Sequence, residues 1–252
     1  MKRLFFGIFL IILTVSLNAQ SLDDNADAAK LYNDGNKLTK SGNYLGAVEK
    51  YNEALKSVKD YRVFYQKGVT LKKLNKNGEA EEAFLKCAEA NPKFDLAYNG
   101  LGGAYFADGK YLEAADAFKK FEQLTTKAKL KTQAKEYRAR ALTKLSTEAK
   151  ADGKYDKAIE YLNEAVNDFK FDAAYLLLAE IYVETQKYTD ALTAADNAWN
   201  NRKTITKGAP LYYKGKAFKG MQDLAKAKDA FNAGKADPKY KSLCEYELKI
   251  IN

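Results

Sequence analysis

The sequence of 252 residues contains no histidine, only two cysteines and only three prolines. Without histidine the chain cannot use an imidazole as a catalytic base or as a metal ligand, which excludes conventional serine and cysteine hydrolase chemistry. Two cysteines are also too few for a cysteine-ligated zinc site. We therefore expect no metal, no cofactor and no catalytic residue. The scarcity of proline, together with abundant Ala, Lys, Leu and Glu, favours helix.

The N-terminus has the pattern of a secretory signal peptide. A basic pair, Lys2-Arg3, precedes an apolar run from Leu4 to about Leu17, and a small residue, Ala19, follows. The run of about fourteen residues is short for a membrane span, which needs roughly twenty. We expect residues 1–19 to be removed and the protein to be exported, to the periplasm of a diderm bacterium. The alternative is a membrane anchor formed by the uncleaved segment.

The rest of the chain repeats itself. Residues 107–118 read ADGKYLEAADAF, residues 151–162 read ADGKYDKAIEYL, and residues 41–51 are a looser relative, SGNYLGAVEKY. Around these segments apolar residues recur at steps of three and four, the helical period, and Asp-Gly pairs interrupt them as turns. A single helical hairpin buries too little apolar surface to be stable alone, so the copies must stack on one another.

Aligned on these segments, the chain divides into six units that start near residues 28, 61, 95, 139, 172 and 208. The eighth position of a unit is small, and the residues there are Gly35, Gly68, Gly102, Ser146, Ala179 and Gly215. The twentieth is always alanine: Ala47, Ala80, Ala114, Ala158, Ala191 and Ala227. Small residues at both positions allow two helices to cross closely.

This pattern resembles the tetratricopeptide repeat, a helix–turn–helix unit of about 34 residues. The resemblance implies an all-α fold, a right-handed superhelix or solenoid of about six hairpins. We expect a signal peptide (1–19), a polar lead-in (20–27), the repeat array (28–239) and a C-terminal capping helix (240–252). The interval of 44 residues between the third and fourth starts predicts an overlong helix from about Lys127 to Lys150. In such a stack Cys87 and Cys244 lie far apart, so we expect two buried free thiols.

In this family the first helix of each unit lines a concave groove, chiefly through its second, fifth, ninth and twelfth positions, with the sixth contributing. The resemblance therefore implies a peptide-binding groove that includes Tyr32, Asn36, Tyr65, Gln66, Asn99, Gly103, Phe106 and Tyr212. Gly100 and Gly103 leave one helix face bare beside Asn99 and Phe106, which predicts a shallow pocket there. A subgroup of the family holds C-terminal carboxylates with two asparagines and three basic residues, but here only Asn36 matches that clamp.

A second candidate surface is basic. Nine basic and two acidic residues lie between Lys119 and Lys144. The residues that we expect to contact an anionic partner are Lys127, Lys129, Lys131, Lys135, Arg138 and Arg140. Such a patch suits an acidic protein, an anionic envelope polymer or a membrane surface, or it is simply a solvated face. With an export signal and no nucleic-acid motif, we do not expect nucleic acid.

Three functions remain open. The first is a non-catalytic scaffold of the bacterial cell envelope that binds a protein or peptide in the groove. The second is an adaptor that binds an anionic envelope polymer or membrane surface through the basic segment. The third is an accessory subunit of an envelope enzyme or secretion complex.

Overall fold

The computed structural model describes residues 21–251, and that range contains thirteen α-helices, one short 3-10 helix at Leu22–Asp24 and no strand. The α-helices are α1 (Ala26–Lys40), α2 (Tyr44–Ser57), α3 (Tyr61–Lys73), α4 (Asn77–Ala90), α5 (Asp95–Ala107), α6 (Tyr111–Leu124), α7 (Ala128–Ala151), α8 (Tyr155–Asp168), α9 (Asp172–Glu184), α10 (Tyr188–Asn200), α11 (Gly208–Gly220), α12 (Leu224–Gly234) and α13 (Lys241–Ile250). Consecutive helices pack as six hairpins, with α13 against the last. The expected all-α solenoid is confirmed.

The expected signal peptide or anchor, residues 1–19, lies outside the described residues. Between residues 21 and 251, none of the helices has the combination of length and hydrophobicity that is needed to cross a membrane.

The turn inside each hairpin has the same three-residue geometry. Its central residue has a positive φ, 76° at Gly109 and 73° at Gly153, and the fifth hairpin places Gln186 there at 60°. In the third hairpin the N–H of Lys110 donates to the carbonyl of Tyr105 at 2.9 Å. This hydrogen bond spans the left-handed residue and ends the first helix, as in a Schellman motif. The repeated turn therefore sets the angle at which the second helix returns.

The positions that the repeat alignment singles out form the core. All six alanines at the twentieth position have no exposed surface. The eighth-position residues are also buried. Four of them are glycines that lie against an aromatic ring of the following helix, Tyr51, Phe84, Phe118 or Phe231. The hairpins therefore close through contact between a ring and a bare backbone.

Helix α7 is the irregular element, with 24 residues where the other first helices have 13 to 15. It runs over Ala128–Ala151, where the sequence predicted a helix from about Lys127 to Lys150. Its first residues, 128–133, are largely exposed, whereas Ala134, Ala141 and Leu142 are buried against the neighbouring hairpins. The extra turns therefore project from the stack at their N-terminal end.

A further segment packs against each end of the array. The lead-in is not only a polar segment, because Leu22 is buried and Arg62 on α3 forms ion pairs with both Asp23 and Asp60. At the other end α13 covers Phe231, and its buried Glu247 forms ion pairs with two lysines of α11.

Candidate functional site

A concave cavity of about 540 Å³ lies between the second, third and fourth hairpins. Five helices, α3 to α7, contribute to its wall. The lining residues are Tyr65, Val69, Lys72, Lys73, Phe84, Leu96, Asn99, Gly100, Gly103, Phe106, Phe118, Tyr137 and Arg140. The size and the mixture of rings with a few polar groups are those of a ligand-binding cleft.

Two glycines of α5 form part of the wall of this cavity. A Cβ atom on Gly100 would lie 2.4 Å from Cε1 of Phe84, and a Cβ atom on Gly103 would lie 2.4 Å from Nζ of Lys72. The bare face of α5 therefore lets a ring and an ammonium group of the preceding hairpin approach its backbone. The pocket predicted beside Asn99 and Phe106 is present at this place.

Aromatic rings form much of the wall. Tyr65 packs against Phe84 with ring centroids 6.0 Å apart, and Phe118 packs against Tyr137 at 5.3 Å. Burial, with smaller effects of Cys87 and Asp95, raises the pKa of Tyr65, so its hydroxyl stays neutral near pH 7. Such rings offer large contact areas to an apolar side chain, and they lose little conformational freedom on binding.

The polar part of the wall is cationic. Lys72, Lys73 and Arg140 line the cavity, and within the described chain no aspartate or glutamate does so. Arg140 forms an ion pair with Glu136 at 2.6 Å on its own helix. Burial, and then the charge of Lys73, hold the pKa of Lys72 below its ordinary value. The cavity therefore combines an apolar wall with positive charge.

The structure brings together half of the predicted groove residues. Tyr65, Asn99, Gly103 and Phe106 line the cavity, joined by Arg140 from the predicted basic set. The other four lie outside it: Tyr32, Asn36, Gln66 and Tyr212.

Three of these four residues take part in contacts within the fold. Asn36 accepts a hydrogen bond from the Tyr51 hydroxyl at 2.8 Å, and Tyr32 packs against the same ring. Tyr212 belongs to an aromatic cluster at the C-terminal end with Tyr213 and Tyr240. The side-chain carbonyl oxygen of Asn36 is thus already paired, and Tyr212 does not line the cavity.

The sequence interpretation missed Lys72 and Tyr137, although a signal for Lys72 was present. Lys72 stands at the twelfth position of the second unit, one of the positions that line the groove in this kind of repeat. Tyr137 lies before the assigned start of the fourth unit, in the added part of α7, where no repeat position applies. The overlong helix therefore supplies a wall of the cavity that a regular repeat would lack.

The basic segment is only partly the expected patch. Lys127, Lys129 and Lys131 are exposed, and none of them forms an ion pair with another described residue. Nζ of Lys135 lies 3.5 Å from Oε1 of Glu122, so this ion pair partly neutralises the charge of Lys135.

The inclusion of Arg138 in the patch was wrong. Its side chain is 9% exposed and forms ion pairs with Glu164 and Asp168 on α8. Both ion pairs join α7 to α8, so the guanidinium of Arg138 stabilises the packing of these two helices.

The two cysteines and the acidic side chains were the remaining candidates for chemistry. Both cysteines are buried free thiols, as expected. Burial raises the pKa of Cys87 to about 12 and that of Cys244 to about 11, so neither is a thiolate nucleophile near pH 7. Among residues 21–251 no group of three or more Cys, Asp or Glu side chains is placed to hold a metal ion.

Comparison with known proteins agrees with the architecture. The tetratricopeptide repeat model matches residues 65–129 and 143–202. Tetratricopeptide repeat protein 12 from Homo sapiens is 34% identical over 146 residues, which are 56% of this chain and 19% of that protein. The probable UDP-N-acetylglucosamine–peptide N-acetylglucosaminyltransferase SPINDLY from Hordeum vulgare is 27% identical over 181 residues, 71% of this chain and 18% of that protein. The chain therefore spans less than a third of the length of these curated relatives.

Among solved structures, YrrB, described as a TPR protein with an unusual peptide-binding site, superposes with a TM-score of 0.54 at 18% identity. The superposition covers 80% of this chain and 99% of YrrB. At this identity the likeness concerns the fold alone. The hairpins, the buried eighth and twentieth positions and the family match lead to one conclusion: the chain belongs to the tetratricopeptide repeat family.

Proposed function

We propose that this protein is a non-catalytic scaffold of the bacterial cell envelope, and that it binds an extended segment of a partner protein in its concave groove. The observation that carries this proposal is the cavity between the second and fourth hairpins. It combines aromatic rings, the Asn99 amide and positive charge from Lys72, Lys73 and Arg140, of which Arg140 is paired with Glu136. A side-chain amide can donate to and accept from the backbone of a bound peptide, while the rings accept its apolar side chains.

The shape of the site favours a chain over a compact small molecule. Its lining begins at Tyr65 on α3 and ends at Arg140 on α7, so it crosses three successive hairpins. Packed helices lie about 8–10 Å apart, so a ligand that touches both ends must be elongated. An extended peptide of several residues meets this requirement.

Export and a non-catalytic role are the other two parts of the proposal. The basic start, the apolar run and Ala19 support processing of residues 1–19 and release into the periplasm. The catalytic activity of the barley relative belongs to a protein of which this chain spans 18%, and it is not extended to this chain. The buried thiols and the lack of histidine also favour a binding role.

Site-specific photocrosslinking in living cells tests the groove. A photoreactive phenylalanine analogue at Phe106 faces the cavity, and the same analogue at Leu112 on α6 stands on an exposed surface that does not line it. We expect a discrete covalent adduct with one protein from position 106 and none from position 112. Adducts of equal yield from both positions, or none from position 106, would overturn the groove as the binding surface. N-terminal sequencing of the periplasmic fraction should find Gln20 first, and an intact N-terminus would contradict export by cleavage.

A second candidate function rests on the first turn of α7. Lys127 occupies the N-cap without making a capping bond, and no acidic residue stands in that turn. Positive charge at a helix N-terminus opposes the helix dipole, which costs stability that a bound anion relieves. This supports an adaptor for an anionic envelope polymer or membrane surface. Its binding should weaken as salt rises, because exposed charges are screened within about 10 Å at 0.1 M ionic strength.

The third possibility is an accessory subunit of an envelope enzyme or secretion complex. Co-purification separates it from a free-standing scaffold. A stoichiometric, salt-resistant assembly with an enzyme would favour the subunit, whereas a bound peptide segment without an enzyme would favour the scaffold.

A further inference from the structure

A lysine at the twelfth position of a unit usually meets a carboxylate in this protein. Three units carry such a lysine: Lys72, Lys150 and Lys219. Lys150 pairs with Glu180 at 2.5 Å, and Lys219 pairs with Glu247 at 2.6 Å. Glu180 lies on α9, the first helix of the next hairpin, and Glu247 lies on α13, which follows the last hairpin. The array thus has a recurring way of neutralising this ammonium group.

Lys72 lacks that partner, and the reason is a single residue. Glu180 is the ninth residue of the fifth unit, and the ninth residue of the third unit is Gly103. The Lys72 ammonium lies where a side chain at position 103 would begin, 2.4 Å from the place of its Cβ. Within the described residues Lys72 forms no ion pair, and the charge that affects its pKa is the like charge of Lys73.

The surroundings of Lys72 suit it to bind a carboxylate of a ligand. Lys72 is partly buried in the wall of the cavity, and Lys73 and Arg140 line the same space. A partly desolvated ammonium without a counter-charge binds a carboxylate more strongly than a solvated one does. Aromatic rings line the same cavity and lower its polarity. A ligand that inserts a carboxylate above Gly103 would supply what Glu180 supplies to Lys150.

We infer that the groove recognises an aspartate or glutamate side chain within the bound peptide, and that this carboxylate pairs with Lys72 above Gly103. The inference rests on the proposed peptide-binding function and names its specificity. A side chain fits better than a chain terminus, because the cavity wall continues on both sides of Lys72, towards Tyr65 and towards Arg140. The clamp that holds a C-terminal carboxylate in other members of this family is also incomplete here, with Gln66 and Gly100 at two of its positions.

Peptides selected by display on the mature protein provide the probe, resynthesised with acetylated and amidated ends. We expect the selected sequences to contain an acidic residue whose change to glutamine weakens binding at least about tenfold, the effect of losing a charged hydrogen bond. Lys72→Gln should weaken binding of the acidic peptide by a similar factor, and it should leave binding of the glutamine peptide unchanged. Lys56→Gln, at an exposed lysine outside the cavity, is the matched control and should have no effect.

Gly103→Glu is the most specific variant. It would give Lys72 a glutamate partner on the next hairpin, equivalent to the Glu180 partner of Lys150. The atom that its Cβ would displace is the end of a flexible lysine, so the fold should tolerate it. We expect an unchanged or higher thermal midpoint and loss of the acidic peptide. A thermal melt of each variant shows that the loss is not unfolding.

The possible failures are distinguishable. If selected peptides bind the cavity but their glutamate and glutamine forms bind equally, or if Lys72→Gln has no effect, the acidic specificity is wrong and the groove stands. A requirement for a free C-terminal carboxylate would likewise overturn the side-chain assignment. If no selected peptide responds to a change in the cavity wall, such as Leu96→Ser, the proposed function itself fails.

Discussion

The ring of Phe118 lies directly against the backbone of Gly102, so that a Cβ atom at position 102 would stand 2.6 Å from its Cε1 atom. Phe118 is buried, with 4% of its surface exposed. The same relationship recurs between Gly35 and Tyr51, between Gly68 and Phe84 and between Gly215 and Phe231. Helix-breaking glycine is therefore retained inside helices because close packing of the hairpin requires it.

Gly102→Ala should destabilise the protein. Overpacking costs about 1–3 kcal/mol, and the better helix propensity of alanine offsets up to about 1 kcal/mol of that cost. Gly78→Ala in α4 is the control, because beyond its sequence neighbours and the backbone of its own helix no atom lies within 4 Å of the added methyl group. It should be neutral or stabilise by up to about 1 kcal/mol. Chemical denaturation measures both, and equal midpoints for the two variants would contradict the packing.

Asp172 should make the fifth hairpin sensitive to acid. Burial by itself raises the pKa of this carboxyl, but hydrogen bonds from Lys203, Thr204 and Ile205 outweigh burial and hold the pKa below its ordinary value. A lowered pKa contributes stability above pH 4 that is lost as the pH falls through the folded-state value.

Asp172→Asn therefore should cost about 1–3 kcal/mol at pH 7, since it weakens bonds to a buried acceptor. The difference in unfolding free energy between the variant and the wild type should narrow below about pH 4. Urea titrations at pH 7 and pH 3 test this expectation. A difference that stays constant over this range would show that ionised Asp172 does not hold residues 203–205, which connect α10 to α11.

Arg138 and Lys129 carry the same charge on one helix, but their substitution should affect different properties, stability for Arg138 and binding to anionic groups for Lys129. Arg138→Gln leaves Glu164 and Asp168 without their cation, and it should lower stability by about 1–3 kcal/mol. Lys129→Gln removes an exposed charge and should leave stability nearly unchanged.

Cation-exchange chromatography, in which the column carries anionic groups, compares the two variants. Lys129→Gln should elute at a lower salt concentration than the wild type, and folded Arg138→Gln should elute at the same salt concentration as the wild type. Equal shifts for both variants would mean that net charge alone governs retention. The basic segment would then have no specific surface.

Much of the architecture was predictable because repetition reinforces weak signals. One alanine such as Ala114 says little, but alanine at the same place in six units indicates a helix crossing, and all six are buried. The long helix was predictable from the interval between units, since the inserted stretch contains no proline or glycine to break it.

The site was less predictable because the partner of a polar side chain depends on three-dimensional packing. Asn36 stands at a groove position, but the Tyr51 hydroxyl binds its amide. Arg138 belongs to a basic run, but the helical period turns it towards Glu164. Conversely, the pocket beside Gly103 was predictable from the helix face without side chains, but the sequence did not show that the Lys72 ammonium occupies the place directly over Gly103.

The most direct test of the groove compares Leu96→Ser with Leu112→Ser. Each leucine is the second residue of a helix in the same hairpin, but Leu96 lines the cavity and Leu112 is 48% exposed outside it. Fluorescence anisotropy with a display-selected peptide measures affinity for both variants. If the cavity is the binding surface, Leu96→Ser should weaken binding about tenfold through lost apolar contact, and Leu112→Ser should match the wild type. Equal affinities for the two variants would contradict the account.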